Sequence, residues 1–210
     1  MTGKRLKLSL VLLTVSAVVG VALATPLLAW ANTQLVQFGY KQVRSGTPDG
    51  VGSFQVTSPD LQDNQPMTFA QQGDICGGGN QAPRLNWSGA PARTKSLAMT
   101  MYDPDAPTGS GFWHWLVWDI PARTDSLNAT SLPPGAVAGS DDIGRAGYLG
   151  PCPPPGDITH HYQFTVFALD EPSLGLSGDT RPAVVGFTMR LHILAVGRLT
   201  GTYSIPLTSG

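Results

Sequence analysis

The segment Asp103-Pro104-Asp105-Ala106-Pro107, followed closely by Gly109-Ser110-Gly111-Phe112-Trp113-His114-Trp115, decides how this chain is read. It is a stiff bend between two strands. Ser96 to Tyr102, just before it, alternates, with Leu97, Met99 and Met101 on one face. Trp115 to Ile120, just after it, is apolar on both faces, as a central strand is. Prolines fix the backbone around both aspartates and remove donors, so the two carboxylates are held on a rigid turn. Strict alternation sends His114 to one face of its strand and Trp113 and Trp115 to the other.

A second segment matches the first in character. Gly147-Tyr148-Leu149-Gly150-Pro151-Cys152-Pro153-Pro154-Pro155-Gly156 cannot be helix and is poorly suited to a regular strand. It reads as a fixed lip, and a long strand, Tyr162 to Leu169, follows it. His160 and Tyr162 share one face, with His161 on the other. A phenol and an imidazole on one face make a donor pair for phosphate or carboxylate. The two segments read as walls of one small polar pocket. Asp103 orients the donors, and His114, His160 and Tyr148 supply them. Gly150, Pro151 and Pro153 shape the lip, Tyr162 contributes beside His160, and Asp105 can face a ligand. The plainer alternatives are turn-forming aspartates and a satisfied core histidine. A metal site built from His114, His160 and a carboxylate is a lesser reading, and no metal or cofactor is expected. No Gly-x-Ser-x-Gly elbow is present, and no catalytic residue is expected.

Glu171 is the only glutamate in a chain with 25 Gly and 18 Pro. That composition is poor for helices and predicts a β-rich fold with long shaped loops. Ser53 to Thr57 alternates and opens the domain. Arg181 to Ala195 is predicted as the one helix, with Pro182 in its first turn. Val184, Phe187, Leu191 and Leu194 or Ala195 form its apolar stripe, and Gly197 ends it. Leu199 to Ile205 returns to a strand. The expected class is all-β-dominated: an antiparallel two-sheet β-sandwich with a C-terminal helix packed at one end. Gly77-Gly78-Gly79 lacks the Lys-Ser/Thr ending of a phosphate loop and reads as a shaped turn.

The N-terminus reads as an export signal. Lys4, Arg5 and Lys7 precede an apolar run from Leu8 to Ala24, and Ala29-Trp30-Ala31 fits a cleavage site. Ala22-Leu23-Ala24 is a second candidate, and an uncleaved anchor is the alternative. The expected organisation is a leader at 1–31, an arm or linker at 32–52 and one domain at 53–210. Without the leader, 10 basic residues face 14 acidic ones. Nucleic acid is therefore a poor partner, and a membrane is met only through an uncleaved leader. Cys76 and Cys152, an even count in an exported chain, suggest a disulfide, with two buried free thiols as the alternative.

Taken together, these residues resemble the phosphatidylethanolamine-binding protein family, in its bacterial Raf-kinase-inhibitor-like branch. The resemblance runs from about Ser53 to Ile205. It is carried by residues 103–107, Trp113-His114-Trp115, Ile120-Pro121-Ala122, Gly150 to Gly156 and His160-His161-Tyr162. It implies a β-sandwich with an anion pocket at one end, which in relatives takes phosphate, acetate or phospholipid headgroups. The family's pocket residues fall on Asp103, Asp105, His114, Tyr148, His160 and Tyr162. Relatives also often carry cysteines near Cys76 and Cys152, in agreement with a disulfide. His161 stands in place of a usual Arg, and Asp119 in place of a common Asn, and both are expected to weaken binding of a dianion.

The expected function is that of an exported, periplasmic or extracellular, non-enzymatic binding protein for a small anionic ligand. Binding is expected to improve below about pH 6.5, where histidine is protonated. The alternatives are a protein inhibitor or regulator that contacts a protein partner through residues 150–156, and a cryptic hydrolase.

Overall fold

The structure, a computed structural model, describes residues 46–207. The expected leader and most of the expected arm lie outside the described residues. Three strands form the centre: β5 (Ser96–Asp103), β6 (Phe112–Pro121) and β9 (His160–Leu169). Nearly every residue of their middles is buried, which is why their sequences are apolar on both faces. Around them lie β1 (Gly52–Ser53), β2 (Gln55–Thr57), β3 (Gln65–Pro66), β4 (Leu85–Ser88), β7 (Ser126–Leu127), β8 (Val137–Ala138) and β10 (Ile193–Tyr203). The large sheet has the order β1-β10-β9-β5-β6-β8, with β3 also pairing to β10. The small sheet is β2-β4-β7. Pairing is antiparallel except where β1 and β3 join β10.

The inner face of the large sheet presents Leu97, Met99, Met101, Trp115, Val117, Phe164 and Val166. These share one apolar cluster with Val56, Leu85, Trp87 and Leu127 of the small sheet. The fold is therefore the two-sheet β-sandwich that the alternation predicts. The outer face carries a second cluster of Ala98, Leu116, Trp118, Phe167 and Leu169, covered by the one α-helix among the described residues, α1 (Pro182–Arg190).

The helix differs from the expectation in length and in face. It ends at Arg190, and Ile193 to Tyr203 is a strand. In that strand Ile193, Ala195, Gly197, Leu199 and Gly201 are buried at period two, a pattern that a helical reading of 191–195 overlooks. The buried stripe of α1 is Pro182, Val185 and Met189. Val184, Phe187 and Leu191, expected to face the core, are exposed, Phe187 by 71%. Both stripes have helical spacing, and the sheet selects the one that Pro182 begins.

Two β-bulges interrupt β6. Met101 pairs with Trp115 and Tyr102 with Trp113, so His114 is the extra residue. The bulge overrides strict alternation. Trp115 belongs to the inner cluster, whereas Trp113 packs on the outer one and against Tyr102. The expectation that both tryptophans share a face is thus corrected. The second bulge lies between the pairs Leu97–Ile120 and Met99–Val117. There Asp119 adopts φ 55°, a left-handed conformation that Asp and Asn tolerate better than most side chains. Its carboxylate accepts from the Ser173 hydroxyl and the Leu174 amide. Five residues of strand separate it from His114, roughly 16 Å at 3.3 Å per residue. Asp119 thus braces the far end of the sheet and adds no charge to the pocket residues.

Cys76 and Cys152 form a disulfide that ties the 3-10 turn Asp74–Cys76 to the proline-rich lip. The bond closes a loop with a sequence separation of 76. In the chain-entropy account such a cross-link stabilises by about 4 kcal/mol. Replacing both cysteines by serine is expected to lower the unfolding free energy by about that amount, measured by urea unfolding as a lowered midpoint with a steeper slope, because the unlinked unfolded chain exposes more surface. An unchanged midpoint would show that the bond does not constrain the unfolded chain.

Candidate functional site

Strand register brings the chemistry together. Asp103 ends β5 opposite Phe112, near the start of β6, and Tyr102 pairs with Gln163, near the start of β9. Asp103, His114, His160 and Tyr162 therefore meet at one end of the central strands of the large sheet, although the sequence separates them by up to 59 positions. All four are buried, with Asp103 2% exposed and His160 1%.

His160 is held between two carboxylates. Its Nδ1 lies 2.7 Å from Asp103 Oδ2, and its Nε2 lies 3.4 Å from Asp157 Oδ2. Ionised carboxylates accept only, so this arrangement favours a ring protonated at both nitrogens. Burial opposes the charge on His160, but the hydrogen bonds and charges of Asp103 and Asp157 outweigh it and hold the pKa above the ordinary value. The other oxygen of Asp103 accepts from the Asp105 amide at 2.9 Å. An aspartate inside a site expected to take anions is thus matched by an imidazolium.

His114 is the opposite case. Its Nδ1 lies 3.0 Å from the Leu149 carbonyl oxygen, which can only accept, so the proton sits on Nδ1. Burial, with a weaker push from the charge on His160, brings its pKa down to about 4 against the opposing pull of the Leu149 hydrogen bond. His114 is neutral above that pH, with a bare Nε2. Its ring meets Tyr162 edge-on at 5.2 Å between centroids, and Tyr162 stacks on His160 at 6.3 Å. The Tyr162 hydroxyl is buried beside the Cys152 backbone amide, which can donate to its oxygen, and its own proton has no acceptor among the described residues. Burial, then the Asp103 charge, raises its pKa, so it stays a neutral donor.

The lip is pinned to the loop at 71–80. The Gly150 amide donates to Asn80 Oδ1, and Asn80 Nδ2 donates to the Tyr148 carbonyl. The Gly73 amide donates to the Pro151 carbonyl. A Cβ at position 150 would collide with the Gln71 carbonyl oxygen, so only glycine permits this approach. Pro151 and Pro153 are buried and form the inner side of the lip. On its rear, Arg145 and Asp74 form a two-pronged ion pair next to the disulfide turn.

Other expected residues take other positions. The Tyr148 hydroxyl donates to the Gln71 carbonyl at 2.8 Å, and its ring packs edge-on against Trp115. It is engaged in holding the loop and is not a free donor toward His114. Asp105 Oδ2 accepts from both the amide and the Nδ1 of His161, each at 2.8 Å. This half-buried pair forms the rim. His161 thus occupies the one carboxylate expected to face a ligand directly. An open cavity of about 860 Å³ lies elsewhere, lined by Asp60, Gln71, Asn80, Arg84, Thr130 and Tyr148 among others, and by none of the four clustered residues. With both nitrogens of His160 facing carboxylates, His160 has no lone pair for the metal reading. Sequence reasoning missed Asp157, Asn80 and Leu149. Asp157 carried a legible signal, being three residues before His160. Asn80 and the Leu149 carbonyl act across long separations and carried none.

A β-sandwich whose central strands end in a buried Asp-His-Tyr cluster under a proline lip defines a recognisable class. The family model for phosphatidylethanolamine-binding protein matches residues 57–204, and the chain belongs to that family. The UPF0098 protein YbcL of Escherichia coli K12 is 44% identical over 73% of this chain and 88% of its own length. The crystal structure of YbcL superposes with a TM-score of 0.71, covering 73% of this chain and 99% of that one. The homologue CT736 of Chlamydia trachomatis is 30% identical with a TM-score of 0.64, over 73% and 98% of the two chains. A lipoprotein candidate of Mycobacterium tuberculosis H37Rv, LppC, is 40% identical over 54% of each protein.

The two histidines are expected to titrate on opposite sides of 6.5. In an NMR titration the His160 ring signal should show a midpoint above 6.5, and Asp157→Asn should lower it. The His114 signal should stay that of a neutral ring down to about pH 5. The linkage signs follow. The contribution of His160 to stability is present below 6.5 and lost as pH rises through its folded-state value. That of His114 is present above 6.5 and lost as pH falls toward about 4. Neither histidine then has its midpoint at 6.5, and a His160 midpoint below 6.5 would contradict the paired-carboxylate geometry.

Proposed function

We propose that this chain is an exported, non-enzymatic binding protein whose Asp103-His114-His160-Tyr162 cluster floors a small pocket for a phosphate- or carboxylate-bearing ligand, such as a phospholipid headgroup. The observation that carries this reading is the Tyr162 hydroxyl. It is buried with no acceptor for its proton, beside a charged His160 and a bare His114 nitrogen. An unsatisfied buried donor costs about 1–3 kcal/mol, a cost that a ligand oxygen at that point removes. The name of the family points to the same ligand chemistry. A binding role is favoured over catalysis because Cys152 is oxidised and cannot serve as a thiolate, and His160 faces carboxylates at both nitrogens. Export is supported by the disulfide, by the basic-then-apolar N-terminal sequence and by the resemblance to a lipoprotein candidate.

Calorimetric titration of the purified protein with inorganic phosphate and with phosphoethanolamine tests the reading. Saturable binding is expected, weakened about tenfold by Tyr162→Phe, which removes one hydrogen bond and little volume. No binding at millimolar ligand, or equal affinity in a folded Tyr162→Phe variant, would remove the cluster from the ligand site.

A further inference from the structure

We propose that the cluster selects oxyacids that still carry a proton, taking a phosphomonoester monoanion in preference to a phosphodiester of the same charge. This rests on the reading of the cluster as the ligand site and adds the protonation and substitution of the ligand. The argument is an inventory of hydrogen-bond roles. His114 donates from Nδ1 to the Leu149 carbonyl, so its Nε2 is a lone pair, with no hydrogen-bond partner among the described residues. Tyr162 holds its hydroxyl proton without an acceptor. The cluster therefore offers one acceptor and one donor side by side, joined by the edge-on contact of the two rings.

A ligand that satisfies both must accept from Tyr162 and donate to His114. A phosphomonoester monoanion does so, with an unprotonated oxygen toward Tyr162 and its P–OH toward His114. A phosphodiester has no P–OH and sets an oxygen lone pair against the nitrogen lone pair. Electrostatics act in the same direction. The ionised forms of Asp103 and Asp157 and the imidazolium of His160 leave the cluster with one net negative charge. A dianion meets repulsion there, and a ligand that keeps its proton meets less. An intact glycerophospholipid presents a phosphodiester. The favoured class is the free monoester, such as phosphoethanolamine, and inorganic phosphate itself.

The groups facing His114 set the pH range. His160 and Tyr162 face it from β9, and Asp103 and Asp157 act on it through His160. Beside the strand of His114, the turn residue Asp142 accepts from the Trp113 amide and is tied to the backbone. His114 keeps its lone pair down to about pH 4, and a phosphomonoester keeps its proton up to about pH 6. Lone pair and proton coexist between these values, and binding is strongest there.

The test is calorimetry of the full chain at pH 5 with methyl phosphate and dimethyl phosphate, which carry nearly equal charge at that pH. Methyl phosphate is expected to bind at least tenfold more tightly, and its affinity to fall about tenfold by pH 7 as the second proton leaves. Affinities within threefold of each other at pH 5 would overturn the proposal while leaving the ligand site in place. No binding of either ester, or of inorganic phosphate, would overturn the site itself. His114→Phe keeps an aromatic ring and removes both nitrogens. If a folded His114→Phe variant, judged by its thermal melt, retains the preference, the assignment to His114 is wrong. The comparison of the two esters on the wild-type chain stands whether or not that variant folds.

Discussion

The buried pair of Asp103 and His160, 2.7 Å apart, is the constraint around which the functional end of this protein is arranged. A carboxylate with 2% exposure is tolerated only if its charge is answered, and the answer comes from a strand 57 positions later. Removing either partner leaves the other buried and uncompensated, at a cost of about 3–5 kcal/mol. The pair therefore fixes where β5 ends relative to where β9 begins. It also fixes the charge state of the site, because Asp103, with a weaker pull from Asp157 on the far side of the ring, keeps His160 protonated against burial. The two histidines of the cluster differ by their partners alone. Burial disfavours charge on both; a carboxylate on each side overcomes it for His160, and a single carbonyl does not for His114.

Two further devices give the site its shape. The bulge in β6 places His114 out of strict alternation, so that the histidine and Trp115 both reach the inner side while Trp113 packs outside. A regular strand would have forced a choice between a packed core and an inward imidazole. The proline lip closes over this arrangement and cannot hold itself. Its prolines lack amide donors, so the restraint comes from its partners: Asn80 on both Gly150 and Tyr148, Gly73 on Pro151, and the disulfide to Cys76. Tyr148, the lip residue that looked most like a ligand donor, is part of that restraint. His161, which looked like a lost charge, completes the rim with Asp105.

Some of this was legible before folding and some was not, for a physical reason in each case. The central strands were legible because burial on both faces leaves a continuous apolar run, and the bends because Pro and Gly act on their own backbone. Asp103, His114, His160 and Tyr162 could be picked out because each stands at the junction of such a bend and such a strand. The stripe of α1 was misread because Pro182, Val185 and Met189 have the same helical spacing as Val184, Phe187 and Leu191, and only contact with the sheet distinguishes them. The extension of β10 back to Ile193 was missed because its buried positions include two glycines, Gly197 and Gly201, which read as breaks but fit where neighbouring atoms approach closely.

The sequence by itself determined the class of fold, the two rigid loops and the residue types of the polar cluster, because these depend on local backbone preference and on the periodicity of burial. Only the tertiary structure decided which imidazole is charged, which hydroxyl lacks an acceptor and which face of the helix is buried. Those properties belong to pairs of groups brought together across the sheet. Hydrogen-bond roles and desolvation are set by the partner and the surroundings, and neither is written in the residue that experiences them.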